Sequence, residues 1–385
     1  MRKLLGLIGL MGLMGIWPVQ SVVPIGPIPS AQAQTSDSAD LSLRFDGALF
    51  FIDNEFFGHH VAGYTLPGFV LRPHVVWRLS HNAELKGGVH WLHFWGAHSY
   101  PAVASYGVLP DHSDTNTLMH VLPWLQAKLH ATGWLTLTLG SLDPNDHQLP
   151  MPMFNPERLF VADPEQGVEA SLHNKWLAMD VWVDWREFIW NRSPRQEKLT
   201  VGASGRLRAG GDGWEVYVPL HFVAQHVGGQ VLEHMSNIQN NFNAAGGIGA
   251  SYAFGDVMTA DVSCRMMWYH QYGNRAVPFT EGWGLYPELQ LYFPTHWHIM
   301  ASYWTGHRFV PLMGSGLFSN ISTMDADRVF DRNDVLTAKV SYELRSKKGN
   351  FCLLLDVSAY HFPLEGETEF TVGCSLPFYP TLKLR

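Results

Sequence analysis

Across residues 40–51 the chain alternates, with Leu41, Leu43, Phe45, Leu49 and Phe51 on one side and Ser42, Arg44 and Asp46 on the other. A two-residue period sends successive side chains to opposite faces of a strand, so one face meets an apolar medium and the other water. Residues 69–79 repeat it, with Phe69, Leu71, Val75, Trp77 and Leu79 facing outward and Arg72, His74 and Arg78 inward. Similar runs recur as far as Phe378, about sixteen in all. The connections alternate in length. Ser80-His81-Asn82, Ala131-Thr132-Gly133, Asn174-Lys175 and Gly255-Asp256 are turns, whereas 98–116, 141–167, 187–198, 224–245, 271–280 and 306–333 are long. Short turns at one end, long loops at the other and an even strand count predict an all-β fold: a transmembrane antiparallel β-barrel with short periplasmic turns and long external loops. A sandwich or propeller has no reason to keep that parity.

Composition sharpens this picture. Aromatic residues make up 13% and charged residues only 16% of the chain, and mean hydropathy is -0.05. Apolar residues spread in alternation rather than in blocks give that average. Trp95, Trp134, Trp185, Trp214, Trp268, Trp283 and Trp297 fall near strand ends, as interfacial girdles require. The order Arg2-Lys3, an apolar run to Trp17, then Ala31-Gln32-Ala33 predicts a signal peptide over 1–33, removed near Ala33. Residues 34–385 then form one outer-membrane barrel. The net charge of -8 argues against nucleic acid. Cys264, Cys352 and Cys374 read as free small hydrophobes rather than a disulfide framework.

The chemistry expected inside follows from the polar face of each strand. The pore-lining candidates are Arg44, Arg72, Arg78, Lys86, Lys128, Arg206 and Arg208, with Asp146, Glu157 and Arg158 supplied by the 141–167 loop. That loop carries five prolines and mostly acidic charge. A structureless run of this length is usually functional, so it is the candidate constriction loop, setting acids against a basic wall. Trp182, Tyr217, Tyr286, Tyr292 and Trp304 form an aromatic track on which sugar rings would stack. The 20 histidines, among them His59, His60, His112, His226 and His234, are scattered, so neither a metal site nor a cofactor is expected. For a hydrolase there is no G-x-S-x-G elbow. Ser204 and Ser251 read as ordinary strand residues, and Ser302 with His298 merely shares a strand face, so no catalytic residue and no enzyme activity is expected.

In strand count and in its long third external loop, the mature chain resembles the outer-membrane general-diffusion porin class of Gram-negative type. The resemblance implies passive diffusion of small hydrophilic solutes, contact with outer-membrane lipid and a homo-trimer. A closed adhesive barrel that binds a partner through its loops is the alternative, and a barrel hydrolase a lesser one. DNEFFG, GYTLPGF and NPERLFVADPEQG look like family signatures. One departure is that barrels of this class end on an aromatic residue, whereas here Phe378-Tyr379 is followed by six more residues.

Overall fold

A computed structural model describes residues 40–95, 119–188, 196–228, 238–273, 277–325, 327–346 and 349–384. The predicted leader, His112 and His234 lie outside the described residues. The strands are β1 (Asp40–Glu55), β2 (Tyr64–Arg78), β3 (Ala83–Phe94), β4 (Met119–Thr132), β5 (Leu135–Ser141), β6 (Gln166–His173), β7 (Leu177–Glu187), β8 (Glu197–Gly211) and β9 (Trp214–Gly228). They continue as β10 (Gln239–Phe254), β11 (Met258–Gly273), β12 (Glu281–Tyr292), β13 (Trp297–His307), β14 (Arg332–Arg345), β15 (Cys352–Phe362), β16 (Glu367–Phe378) and β17 (Thr381–Lys383).

Each strand pairs antiparallel with the next, and β1 closes the ring by pairing with both β2 and β16. The short β17 runs along β1 just past Tyr379-Pro380, with Ser42 opposite Lys383, so it prolongs β16. The wall is therefore a closed barrel of sixteen strands. This is how the chain proceeds beyond its last aromatic pair: Tyr379 is buried and the ladder resumes after the proline. Closure leaves no strand edge, and that is what lets a sheet stand in lipid. The outward belt is apolar, as at Leu49, Trp77, Leu125, Val181, Ile248 and Phe370, and it marks an outer-membrane barrel.

Prolines punctuate the wall without breaking it. Ladder pairing lapses between Leu71 and His74 at Pro73, between Tyr217 and Leu220 at Pro219, and between Leu285 and Glu288 at Pro287. A proline has no N–H to give to a ladder. The one long stretch misjudged from sequence is 224–245. β9 runs on to Gly228 and β10 begins at Gln239, so much of the expected loop is strand. Asn240, Asn241 and Asn243 disfavour strands in general, but Asn243 turns inward and is bonded there by another part of the chain.

Candidate functional site

The interior is not an open bore. Two connections from the long-loop end fold into it: 142–165, with the short helix α1 (Arg158–Val161), and 308–331, with a 3-10 turn at Gly316–Phe318. Leu149, Met153, Phe154, Phe309, Val310 and Phe318 are all buried within the barrel, in one apolar cluster. The two loops bond to each other, Asn155 N–H donating to Met313 O (2.8 Å) and Ser315 N–H to Met151 O (3.3 Å). Gly314 permits this approach, since a Cβ there would stand 2.1 Å from Pro152 O. Asn243 fastens the second loop to the wall, its amide donating to Val310 O (3.0 Å) and its oxygen accepting from Leu312 N–H (2.9 Å).

Charges fasten the first loop. Lys86 and Lys128 hold Asp143 at 3.2 and 2.6 Å. Burial would raise that carboxyl, but the two ammonium groups override it and keep Asp143 far below the ordinary carboxylate range. His147 lies flat on Trp182 (3.7 Å between ring centroids, 4° between planes) and reaches Glu165 at 2.9 Å through Nε2. Burial lowers His147, yet Glu165 and then Glu169 and Asp180 outweigh it, and its pKa is raised to about 9.

This plug separates two chambers. The first encloses about 820 Å³, part of it open to solvent, between the plug and the walls of β1, β2 and β14 to β16. Its apolar lining includes Ile52, Val61, Phe160 and Leu317. Into it converge Asn54, Tyr64 and Glu157. Tyr64 OH donates to Glu157 Oε2 (2.6 Å), Asn54 Nδ2 donates to Glu157 Oε1 (2.7 Å), and Thr371 Oγ1 donates to Asn54 Oδ1 (2.7 Å). Burial raises the Glu157 carboxyl, and its bonds from Tyr64 and Asn54 only partly oppose this. An apolar pocket with a few convergent polar groups and one perturbed acid is the usual form of a ligand or active site. The three residues come from DNEFFG, GYTLPGF and NPERLFVADPEQG, the three segments that look like signatures.

The second chamber, of about 950 Å³ and also partly open, is charged. Arg206, Arg265 and Lys339 line it together with Asp146, Asp261 and Glu288, Arg265 being paired with Glu288 at 3.3 Å. Met151, Pro156 and Lys339 line both chambers.

The other sequence-predicted residues scatter over this interior. Arg44 pairs with Asp46 (2.5 Å) and Arg78 approaches Glu84 (4.0 Å). Arg72 is buried over Trp124, with its Nε donating to His90 Nδ1 (3.0 Å). Arg206 and Arg208 share Glu215, each at 3.7 Å. Arg158 lies in α1 over the Phe154 ring, and Asp146 caps Gln148 N–H (2.9 Å). Of the aromatic residues, Trp182 carries His147, Tyr217 OH donates to Asp261 (2.7 Å), and Tyr292 stacks on His298. Tyr286 and Trp304 are fully covered and pack edge-on against Phe318.

Sequence reasoning missed Asn54 and Tyr64, whose only signal was the look of their segments. Ser204, read from sequence as an ordinary strand residue, has its Oγ 2.7 Å from His221 Nδ1. That pair is buried, and His221 Nε2 has no hydrogen-bond partner among the described residues, so no carboxylate orients the ring as a triad needs.

The model of the lipid A 3'-O-deacylase-type family matches residues 33–385. The chain belongs to that family. This corrects the expectation that the barrel is not an enzyme, because the family is named for an ester hydrolase. The lack of a G-x-S-x-G elbow excluded one kind of serine hydrolase and not ester hydrolysis on a barrel. No curated protein sequence matches the chain. Among solved structures, the chain is similar to OpdK from Pseudomonas aeruginosa, with 10% identity, 89% of this chain and 99% of that one covered, and a TM-score of 0.49. OccK8 (OprE) from the same organism gives 10%, 92%, 100% and 0.49, and OccAB4 from Acinetobacter baumannii 9%, 91%, 99% and 0.48.

Proposed function

We propose that the protein is an outer-membrane hydrolase that releases an acyl chain from a lipid A-type glycolipid, with Glu157 as its proton-transfer group. The observation that carries this reading is the convergence of Asn54, Tyr64 and Glu157 in one apolar chamber of a deacylase-type family member. Asn54 and Tyr64 stand at the long-loop ends of β1 and β2, the end that faces such glycolipids in this reading.

In the mechanism we envisage, Glu157 accepts a proton from a water molecule as that water attacks the ester carbonyl. The acyl C–O bond then breaks, and Glu157 returns the proton to the departing sugar oxygen. A buried carboxyl whose proton affinity is raised suits both halves of that exchange. Tyr64 and Asn54 fix the orientation of the carboxylate, and Thr371 fixes Asn54. Lys339, paired with Asp356 at 3.2 Å, lines the same space and supplies positive field to a developing oxyanion. The test is mass spectrometry of lipid A after incubation with the purified barrel in mixed micelles. Loss of one acyl chain is expected with the native protein. Glu157→Gln should lose at least about a hundredfold in rate, the scale of general acid–base catalysis. Intact lipid A after exposure to folded protein removes the hydrolase reading.

A second reading is favoured by the residues shared between the chambers: passive diffusion of small hydrophilic solutes, saccharides among them, past Met151, Pro156 and Lys339. Steady single-channel openings in a planar bilayer, enlarged by deletion of 148–155, are its expected signature. Silent bilayers containing folded protein count against it. Under either reading the leader is removed near Ala33, which sequencing of the mature amino terminus checks.

A further inference from the structure

The lipid-facing wall is not uniform. Most outward positions carry Leu, Val, Phe or Trp, but across the four adjacent strands β8 to β11 the outward Ala209, Ala250 and Cys264 are small, with Val216 of β9 between Ala209 and Ala250. They floor a groove of about 1260 Å³, open to the bilayer, whose flanks include Leu207, Ile248 and Val262. The ladder between β9 and β10 lapses beside it, from Gly246 opposite Leu220 to Gly249 opposite Tyr217. The wall is thin there. Gly249 has no side chain, and the Tyr217 ring lies against it from the lumen, where a Cβ would meet Cζ at 2.2 Å.

The groove runs toward the short-turn end. There Trp176 forms part of its rim, and the Lys175 ammonium sits 4.9 Å from the Trp176 ring centroid. Lys175 and Trp176 are both exposed at the turn between β6 and β7. An aromatic ring with a cation beside it at this depth is the arrangement that meets phospholipid headgroups.

We infer that this groove is a binding site for one anionic phospholipid of the periplasmic leaflet, with an acyl chain lying over Ala209 and Ala250 and the phosphate at Lys175. Here a chain buries apolar area on three sides, while the charge at the rim chooses the headgroup. The site is independent of the glycolipid chemistry proposed above, since it lies on the outer wall at the opposite end of the barrel.

The test uses the full barrel assembled in nanodiscs of phosphatidylethanolamine with a minority of phosphatidylglycerol. The barrel is transferred to detergent and its retained lipid counted by native mass spectrometry. Native protein should keep one phosphatidylglycerol. Ala250→Trp, which fills the groove from the lipid side, should keep none while still migrating as a folded barrel on an unheated gel. Lys175→Ala should reduce the preference for phosphatidylglycerol over phosphatidylethanolamine about fivefold, the scale for one basic residue near a membrane surface. The inference is overturned if native protein retains no lipid, if Ala250→Trp retains as much as native protein, or if Lys175→Ala leaves the preference unchanged.

Discussion

The plug is held in the barrel by a titratable pin, and its strength can be worked out. His147 stands between the face of Trp182 and the carboxylate of Glu165, with Glu169 and Asp180 adding negative field and burial opposing it. In the unfolded or detached loop its pKa returns to 6.5; in place it is raised to about 9. At about 1.4 kcal/mol for each factor of ten in proton affinity, the difference is worth roughly 3 kcal/mol. Because the docked value is the higher one, this stabilisation is fully present below pH 6.5 and is lost as pH rises through about 9. Raising a micellar sample from pH 6 to pH 10 should therefore lower amide-exchange protection over 142–165 by about a hundredfold, after correction for the intrinsic rate. Protection of the β8 to β11 ladders should not change. His147→Phe keeps the stack on Trp182 and deletes the charge, so its protection should already be low at pH 6 and stay flat. Equal protection of the native loop at both pH values, or the same fall in His147→Phe, would refute the reasoning.

Three further outcomes follow from the same interior. Asp143→Asn leaves Lys86 and Lys128 without their shared carboxylate, at a cost of about 3 kcal/mol as for a broken buried pair; the 142–165 loop should become cleavable by added protease, and a loop still as resistant as native would show that the pair does not hold it. Gly314→Ala places a Cβ 2.1 Å from Pro152 O, so the two loops must separate, and exchange at Asn155 and Ser315 amides should rise together; unchanged exchange would show that the contact yields without loss. His60 is sandwiched between Phe330 and Phe362 (4.1 and 4.5 Å), and burial, with Arg328 and His59, lowers its pKa to about 4. It is neutral at pH 7, so the 3.7 Å approach to Glu365 is no ion pair there. Its contribution is present above pH 6.5 and lost as pH falls toward 4, so exchange at the Thr323 amide, which donates to His60 O, should quicken in acid but not in His60→Phe.

How much of this was legible in the sequence depends on what each residue type reports. The alternation around Leu49 and Phe51, or Arg72 and His74, states which face meets lipid, and strand number, parity and closure follow from it. It is silent about loops, because a loop entering the lumen satisfies no period. The Asn-rich start of β10 was read as loop for that reason. Asparagine suits a strand only when its side-chain amide is satisfied, and here Val310 O accepts from Asn243 and Leu312 N–H donates to it, both more than sixty residues away. Lys86 and Lys128 read as inward-facing, but that reading alone does not say whether they meet water or Asp143, which both hold here.

The same limit explains why a solute channel and an ester hydrolase could not be separated from the sequence. Both need an apolar exterior, a polar interior and a long inward loop, so composition and periodicity are identical for the two. What separates them is whether a carboxylate on that loop stands free in solvent or is held between partners in a largely apolar chamber. Asn54 and Tyr64 stand opposite each other in the β1–β2 hairpin, but Glu157 is 103 residues from the first and 93 from the second, and nothing local to the hairpin requires it. Barrel closure, which lays β1 beside β16, adds Thr371 to the Asn54–Tyr64 pair under the descending loop. The catalytic reading thus rests in part on topology, and a change that opened the β1–β16 seam would part Thr371 from Asn54 and Tyr64 even with each of them unaltered.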